Sequence, residues 1–272
     1  MPTLKDVFNS TSDVSSRTFA SETFGNAEEN HEPNLKHKIS GHLEIGGQYH
    51  FHMETQTCIA IPTEDGLDIF SSTQWIVPTQ VTIAECLEVP NNYINMTVRR
   101  LGGGFGAKLT RSSQIACGAA LPAFLLNRPV RFVMSLEQNM TVVGKRYGCI
   151  SDYEVEVDQN GLIQKFNSKY AQDYGCSSNE GVADLTQIFY NNCYNGKYFK
   201  VTKNVVLTDS ASNTWMRAPG STEGIAMIEN VMEHIARKLV KDPFDIRMTN
   251  MDENGALMKI FPEFVNSVGE FI

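Results

Sequence analysis

The sequence lacks the features that would assign it to a membrane or a nucleic acid. No run within its 272 residues approaches the roughly 18 apolar residues that cross a membrane. The N-terminal segment shows no basic stretch followed by an apolar one, as a secretory signal would. Acidic residues outnumber basic ones, and the net charge of −8 disfavours a general nucleic-acid binder, which would be basic. We therefore expect neither a membrane nor a nucleic acid as a partner.

Closely spaced cysteines are also missing. The six cysteines contain no C-x-x-C pair and recur roughly every 30 residues, which argues against a structural zinc site or a compact disulfide framework. We expect a cytoplasmic protein with reduced thiols. The cysteines are Cys58, Cys86, Cys117, Cys149, Cys176 and Cys193.

The most informative feature that is present is a glycine-rich loop. Four glycines fall within residues 102–106, followed by Ala107 and Lys108 and preceded by a strand-like run at 93–99. Glycine adopts positive φ and lets a ligand approach the backbone closely. A loop of this kind can direct several N–H groups at one anion or oxo group. The pattern predicts a site for a charged cofactor.

The same loop partly fits a dinucleotide-binding fingerprint. Gly102, Gly104 and Ala107 match G-x-G-x-x-[G/A] between a strand and a helix. The next acid, Glu137, lies about 30 residues beyond the loop, where the fingerprint expects one after ~20. No second half of a Rossmann sheet follows. A NAD-binding module is therefore a distant alternative, and a tight turn without a ligand is another.

Two further segments carry residues suited to ligand binding. Gln48 follows two glycines and can offer its amide N–H2 to an oxo ligand without adding charge. Nearby, His50 and His52 suggest zinc, but without a clear third ligand we favour a strand with alternating exposure. Arg217 begins the turn R-A-P-G before a predicted helix, a placement suited to anion binding. Pairing of Arg217 with a surface acid is an equal alternative.

The rest of the pattern predicts helices and strands in mixed order. Asp65-Gly66 and Asn160-Gly161 predict hairpin turns. The order strand, glycine loop, helix, strand over 93–134 implies a local parallel crossover. Helices are predicted from Pro78 to before Pro90, at 108–127, near 184–190, at 222–239 and from about 243 to 250, and strands at 93–99, 131–134, within 150–171 and at 198–207.

These elements predict an α+β fold with mixed sheets and packed helices. Residues 1–35 are rich in Ser, Thr, Asn and Glu without a sustained period, and we interpret them as an irregular linker. Residues 36–250 form the predicted domain, and 251–272 are an uncertain tail.

Together the three loops resemble the molybdopterin-binding region of the xanthine dehydrogenase/aldehyde oxidase family. The segment from Gly46 to Glu54, the glycine loop with Lys108, and R-A-P-G at Arg217 occur in the family's order and spacing. The resemblance runs from about residue 41 to 250. It implies the fold of that domain and a molybdenum–molybdopterin cofactor, which the protein positions without ligating the metal through a side chain.

The resemblance also implies roles for single residues. Gln48 matches the glutamine that contacts a molybdenum oxo ligand, and Arg217 matches the arginine on the cofactor side of the substrate pocket. Phe105 matches the backbone beside the metal and its dithiolene. The neighbouring cofactor-binding positions are Gly103, Gly104 and Gly106.

The reaction implied is hydroxylation of an aldehyde carbon or of an N-heterocycle ring carbon with oxygen from water. Electrons leave through two 2Fe-2S clusters and FAD, in an enzyme that is a cytoplasmic homodimer. The cysteine spacings of the iron–sulfur domains do not occur here, and the family's general-base glutamate belongs to a later segment. We therefore expect a fragment that shows no turnover alone.

Departures from the purine-oxidising branch favour an aldehyde as substrate. Leu109 stands where that branch has a glutamate that binds the purine, and Pro219 stands where it has a ring-stacking phenylalanine. Leu185, in a looser alignment, replaces an arginine. A purine in a buried pocket needs polar partners, whereas an apolar lining suits an aldehyde. A xanthine dehydrogenase fragment and an inactive cofactor-binding remnant are the alternatives.

Overall fold

Two β-sheets and the helices packed on them form the protein. The structure is a computed structural model that describes residues 3–9, 17–25 and 37–255. No helix in these ranges is long and apolar enough to span a bilayer. The strands are β1 (Thr18–Phe24), β2 (His37–Ile45), β3 (Thr57–Pro62), β4 (Leu67–Ser71), β5 (Ile94–Thr97), β6 (Val130–Val133), β7 (Cys149–Val157), β8 (Ile163–Asp173) and β9 (Phe199–Val206). The helices are α1 (Leu4–Asn9), α2 (Ile76–Leu87), α3 (Arg111–Leu126), α4 (Leu136–Val142), α5 (Ala183–Tyr190), α6 (Ser221–Leu239) and α7 (Pro243–Asn250).

The larger sheet has the strand order β1-β9-β8-β7-β2. Alternation along β7 puts Tyr153, Val155 and Val157 in the core, where they pack with the apolar side of α6. The predicted turn at 160–161 joins β7 to β8 in an antiparallel hairpin, and Gly161 has a φ of +90°. Strand β9 then pairs parallel with β8, and α5 lies between these two strands in the sequence.

The smaller sheet has the order β5-β4-β3-β6. The predicted hairpin at Asp65-Gly66 joins β3 to β4, closed by a bond from Thr63 N to Gly66 O of 2.9 Å. Helix α2 carries the chain from β4 to its parallel neighbour β5. A second core of apolar side chains from α2, α3 and this sheet fills one face. Since both sheets mix parallel and antiparallel pairs, the predicted α+β architecture is confirmed.

The predicted parallel crossover after the glycine loop is present, because β5 and β6 run in the same direction in one sheet, but the two strands are not neighbours. Strands β5 and β6, on either side of α3, occupy opposite edges of the smaller sheet. The β3–β4 hairpin lies between them because β4 pairs with β5 and β3 pairs with β6. Strand order depends on contacts between distant segments, and the local pattern carried no information on it.

The N-terminal segment predicted as an irregular linker contains regular structure where it is described. Helix α1 buries Val7 and Phe8 against Ile150 and Val206 of the larger sheet. Strand β1 pairs antiparallel with β9. A helix of under two turns is too short for a detectable period, and a polar edge strand resembles a linker in composition. The predicted C-terminal tail lies largely outside the described residues.

Candidate functional site

Three segments far apart in the sequence meet at one open cleft. Gln48, Phe105 and Arg217 all line this cleft, whose volume is about 400 Å³. The loop after β2 provides Gln48, the glycine loop before α3 provides Phe105, and the turn before α6 provides Arg217. The structure therefore brings together the three residues that the sequence selected. The remaining lining residues are His50, Arg146, Met216, Ala218 and Thr222.

The Gln48 side chain is held at the cleft by Arg146. The Arg146 Nε donates to Gln48 Oε1 at 3.0 Å, and the Arg146 backbone N donates to Gln48 O at 2.9 Å. Because the amide oxygen accepts from Arg146, the exposed amide retains its N–H2 as a donor. The arrangement fits a site whose ligand accepts hydrogen bonds.

The glycine loop adopts backbone conformations that most residues avoid. Phe105 has a φ of +52°, and Gly103 and Gly106 have φ of +93° and +104°. A Cβ on Gly106 would stand 2.2 Å from Trp215 O, so only glycine permits this approach. The Phe105 carbonyl accepts from Arg217 N at 2.8 Å. Positive φ at a bulky residue costs free energy, and such positions cluster at functional sites.

A buried ion pair anchors the glycine loop to the segment after Gln48. The Lys108 Nζ, fully buried, lies 2.7 Å from Glu54 Oε2, which also accepts from Gly102 N at 3.0 Å. Burial lowers the pKa of Lys108, opposed by Glu54. Burial alone would raise the pKa of Glu54, but the bonds from Lys108 and Gly102 hold it below its ordinary value. The Glu54 carboxylate is therefore stabilised in its charged form, and it opposes the loss of charge from buried Lys108.

Gln74 supports the same loop from the N-terminal side of α2. Its Oε1 accepts from Gly106 N at 2.9 Å and from Lys108 N at 3.3 Å. The Gly104 position lies against the Gln74 side chain, since a Cβ there would stand 2.4 Å from Oε1. Gln74 thus occupies two backbone donors of the loop, and Phe105 is the loop residue that lines the cleft.

Arg217 is exposed and points its charge to no acid of the described chain. Its main-chain atoms are fixed instead, because Arg217 N donates to Phe105 O and Arg217 O accepts from Arg146 Nη2. The next residue, Ala218, has a φ of +59°. The alternative interpretation was that Arg217 pairs with a surface acid. No acidic side chain within residues 3–9, 17–25 and 37–255 forms an ion pair with it. The cation remains available to an anionic ligand.

Both histidines of this region are buried, which corrects the expectation of an alternating strand. Residues 46–56 form no strand. His50 Nε2 donates to Trp215 O at 2.8 Å, and His52 Nδ1 donates to Glu54 O at 2.5 Å. Burial lowers the pKa of His50 to about 4 and lowers that of His52. Among the described residues no three His, Cys, Asp or Glu side chains converge as a metal site, so neither histidine supports a zinc interpretation.

Two buried charged residues that sequence reasoning missed connect the loops. Arg146 donates to the carbonyl of Ala218 and, at 3.3 Å, to Glu223 Oε1. Glu180 accepts from Thr214 Oγ1 and Trp215 N, both at 2.7 Å, and from the Thr110 hydroxyl after the glycine loop. Neither residue lies in a recognisable motif; the only local signal is that Arg146 stands between Gly144 and Gly148.

The three residues predicted to line the substrate pocket do not line this cleft. Leu109 follows the glycine loop, its N bonded to Gly106 O. Leu185 packs against the turn before α6, where a Cβ on Gly220 would lie 2.6 Å from Leu185 Cβ. Pro219 belongs to that turn. All three are half-buried and close to the loops that form the cleft, and their role in substrate contact stays a prediction.

The chain contains a molybdopterin cofactor-binding domain. The sequence profile of the family described as "Molybdopterin cofactor-binding domain" matches residues 11–251. A xanthine dehydrogenase/oxidase of Gallus gallus is 35% identical over 81% of this chain, and an aldehyde oxidase-like protein of Oryza sativa subsp. japonica is 35% identical over 86%. The chain belongs to the xanthine dehydrogenase/aldehyde oxidase family. It spans 17% of the length of each of these relatives.

Solved structures show the same fold. An aldehyde oxidoreductase from Desulfovibrio gigas superposes with a TM-score of 0.76 at 21% identity, over 88% of this chain and 27% of its own. A quinoline 2-oxidoreductase from Pseudomonas putida 86 gives a TM-score of 0.75 at 20% identity, over 86% of this chain and 31% of its own. At these identities the likeness establishes the architecture alone.

Proposed function

We propose that the cleft lined by Gln48, Phe105 and Arg217 holds the molybdenum–molybdopterin cofactor in an enzyme that oxidises aldehydes to carboxylic acids. The observation that carries the proposal is the convergence of these three residues on one cleft, across about 170 positions of sequence. An irregular cleft with a few convergent polar groups is the usual form of a cofactor site.

The chemistry of the cleft fits this cofactor. Gln48 offers neutral N–H donors, and Arg217, which pairs with no acid among the described residues, offers a cation, which suits a ligand with oxo and phosphate oxygens. When bound, the cofactor supplies the two-electron redox and oxygen-transfer chemistry. The residues of this chain hold and orient it: Arg146 fixes the Gln48 amide, and the Phe105–Arg217 main-chain bond fixes the two loops relative to each other.

The histidine in the cleft wall contributes no charge near neutral pH. With a pKa of about 4, His50 stays neutral, and its Nε2–H donates a hydrogen bond to Trp215 O. Arg146 and Arg217 are therefore the cations of the cleft lining, and since Arg146 is paired with Glu223, Arg217 is the one that favours an anionic ligand.

Apolar residues near the cleft support an aldehyde over a purine. Leu109, Leu185 and Pro219 offer no hydrogen-bonding side-chain group, and a buried purine edge beside them would go unpaired. Oxidation of a purine or another N-heterocycle is the second candidate, because the identity to a xanthine dehydrogenase equals that to an aldehyde oxidase-like protein. The 2Fe-2S clusters, FAD and a homodimeric assembly are proposed only for a longer protein that carries this sequence.

The cofactor proposal is tested by retention of molybdenum and pterin. The chain is produced in a bacterial host that makes the cofactor, and both components are quantified per purified chain. Gln48→Leu is expected to reduce retention at least several-fold because the donor to the ligand is lost. Gln159→Leu, at an exposed turn, is the matched control and is expected to retain as much as the parent. Equal retention by both variants would overturn the assignment of Gln48.

Turnover is tested separately with an artificial electron acceptor. We expect the loaded chain to oxidise neither an aldehyde nor a purine, because the residue that would act as general base is not among those in the cleft. Robust turnover by the chain alone would refute this expectation. In a longer protein carrying this sequence, preference for the purine over the aldehyde would favour the second candidate, and cofactor retention without turnover of either would favour an inactive remnant.

A further inference from the structure

Two cysteines outside the cofactor cleft lie side by side between α2 and α3. The Cys117 Sγ of α3 contacts Thr82 O of α2 at 3.8 Å. Cys86 follows Thr82 by one helical turn and so projects from the same face of α2. Cys86 is close enough to Cys117 to help raise the pKa of that thiol. All six cysteines of the chain are free thiols, so the two form an unoxidised pair.

The helices are packed closely enough for a covalent link. The buried face of α3 is made largely of alanine, with Ala116, Ala119, Ala120 and Ala123 in the core. Small side chains let helix axes approach closely, and a disulfide needs Cα atoms about 4.4–6.8 Å apart. Thiols that face each other across such an interface need little backbone movement to bond.

The two cysteines differ in their access to solvent. Cys86 is exposed, whereas Cys117 is half-buried. Burial, followed by the proximity of Cys86, raises the pKa of Cys117 to about 12. Because the thiolate is the reactive form and an oxidant must reach it, Cys86 is the thiol that an oxidant meets first. Cys117 is the partner that then forms a disulfide with the oxidised Cys86.

We propose that Cys86 and Cys117 form an oxidisable pair that closes to a disulfide between α2 and α3 when the protein meets a hydroperoxide. The sulfur of Cys86 attacks the peroxide, the O–O bond breaks, and Cys86 becomes a sulfenic acid while one water or alcohol leaves. The sulfur of Cys117 then attacks the sulfenic sulfur. The S–S bond forms as the S–O bond breaks, and the Cys117 proton leaves with the hydroxyl as water. The two thiols are oxidised by two electrons, and the peroxide is reduced by two.

The bond would join the two helices that support the glycine loop. The Thr79 and Ser113 hydroxyls, in the first turns of α2 and α3, lie 3.3 Å apart. Ser112 Oγ donates to Lys108 O at 3.0 Å, at the end of the loop. A link from Cys86, in the last turn of α2, to Cys117, one turn after Ser113 in α3, would therefore add a covalent bond to the helix pair that holds that loop.

Peptide mapping tests the link directly. After treatment of dilute protein with hydrogen peroxide, trypsin should release segment 112–131, whose only cysteine is Cys117, joined to segment 39–99, which contains Cys58 and Cys86. The joined mass is two hydrogens below the sum of the reduced segments. Cys86→Ser, at an exposed position, is expected to abolish this species, and Cys176→Ser, at another exposed cysteine, is expected to leave it unchanged.

Thermal unfolding gives a second readout. Closing a loop of about 30 residues is expected to raise the unfolding midpoint of the oxidised protein by about 5–10 °C, and Cys86→Ser should show no rise. The proposal is overturned if the linked species persists in Cys86→Ser, which would assign it to Cys58. It is equally overturned if Cys86 advances to a sulfinic acid without a link, or if oxidation leaves the midpoint unchanged or lower.

Discussion

The carbonyl oxygen of Trp215 is the point where the three loops of the cleft meet. It accepts from His50 Nε2 at 2.8 Å and lies where a Cβ on Gly106 would stand. The backbone N–H of Trp215 donates to Glu180. His50 thus satisfies this carbonyl oxygen with a hydrogen bond, and Gly106 leaves the space that the oxygen occupies, so a larger residue at 106 or a charged one at 50 would disturb it.

Replacement of His50 is expected to change the pH dependence of stability. With a native pKa of about 4 and an unfolded value near 6.5, the unfolded state binds more protons between these limits. Stability contributed by neutral His50 is therefore full above about pH 6.5 and falls as the pH drops towards 4, by about 3 kcal/mol. His50→Gln keeps an N–H donor but does not titrate, so the free energy of unfolding should depend less steeply on pH over this range.

Chemical denaturation of both proteins at several pH values measures this difference. His37→Gln, at the exposed start of β2, is the control and should follow the parent. An identical slope for His50→Gln and the parent between pH 6.5 and 4 would show that His50 is not held neutral in the folded protein.

At the scale of elements, short segments gain their structure from the sheet they contact. Helix α1 has six residues, too few to be stable alone in water. It persists because Val7 and Phe8 pack on Ile150, Ala171 and Val206. This explains why the composition of 1–35 suggested a linker, while the longer helices, which have a full apolar face, were predicted within a few residues of their observed bounds.

Truncation of Phe8 is expected to remove α1 from the sheet. Phe8→Ala should lower the free energy of unfolding by about 2–4 kcal/mol, because a buried aromatic side chain is lost, and amide exchange in residues 4–9 should become fast. Phe19→Ala is the matched control: Phe19 lies on the edge strand β1 and is 64% exposed, so a change within about 0.5 kcal/mol is expected. Slow exchange in α1 of Phe8→Ala would contradict the packing role.

For the molecule as a whole, polar contacts at the cleft join two separate cores. One apolar core belongs to the larger sheet with α6, and the other to the smaller sheet with α2 and α3. Between them, Glu180 binds Thr110 on one side and Thr214 with Trp215 on the other. Arg111 donates to the carbonyls of 212 and 213 at 3.1 Å. Residues next to the loops of the candidate site therefore couple the two halves.

Loss of the Glu180 carboxylate is expected to weaken this coupling. Glu180→Leu leaves the Trp215 N–H and two hydroxyls without their acceptor, and should lower the free energy of unfolding by about 3–5 kcal/mol. Glu180→Gln keeps one acceptor oxygen and should cost only about 1–2 kcal/mol. Glu64→Leu, at an exposed turn, is the control, with a change within about 0.5 kcal/mol.

Hydrogen exchange in the two sheets distinguishes coupling from simple loss of stability. In the parent, the slowest amides of both sheets should exchange together; in Glu180→Leu, those of the smaller sheet should exchange first. Equal stability of Glu180→Leu and Glu180→Gln would show that the carboxylate is not the link.

The sequence by itself determined the features that depend on neighbouring residues alone. Periodicity predicted the long helices, and Asp65-Gly66 and Asn160-Gly161 predicted the hairpins. The three motifs indicated the family and the residues Gln48, Phe105 and Arg217. Tertiary structure alone decided the strand order, the burial of His50 and His52, and the roles of Arg146 and Glu180. The reason is physical: a turn or an amphipathic face is encoded in neighbouring residues, whereas a buried charge is recognised only when distant segments surround it with donors and acceptors.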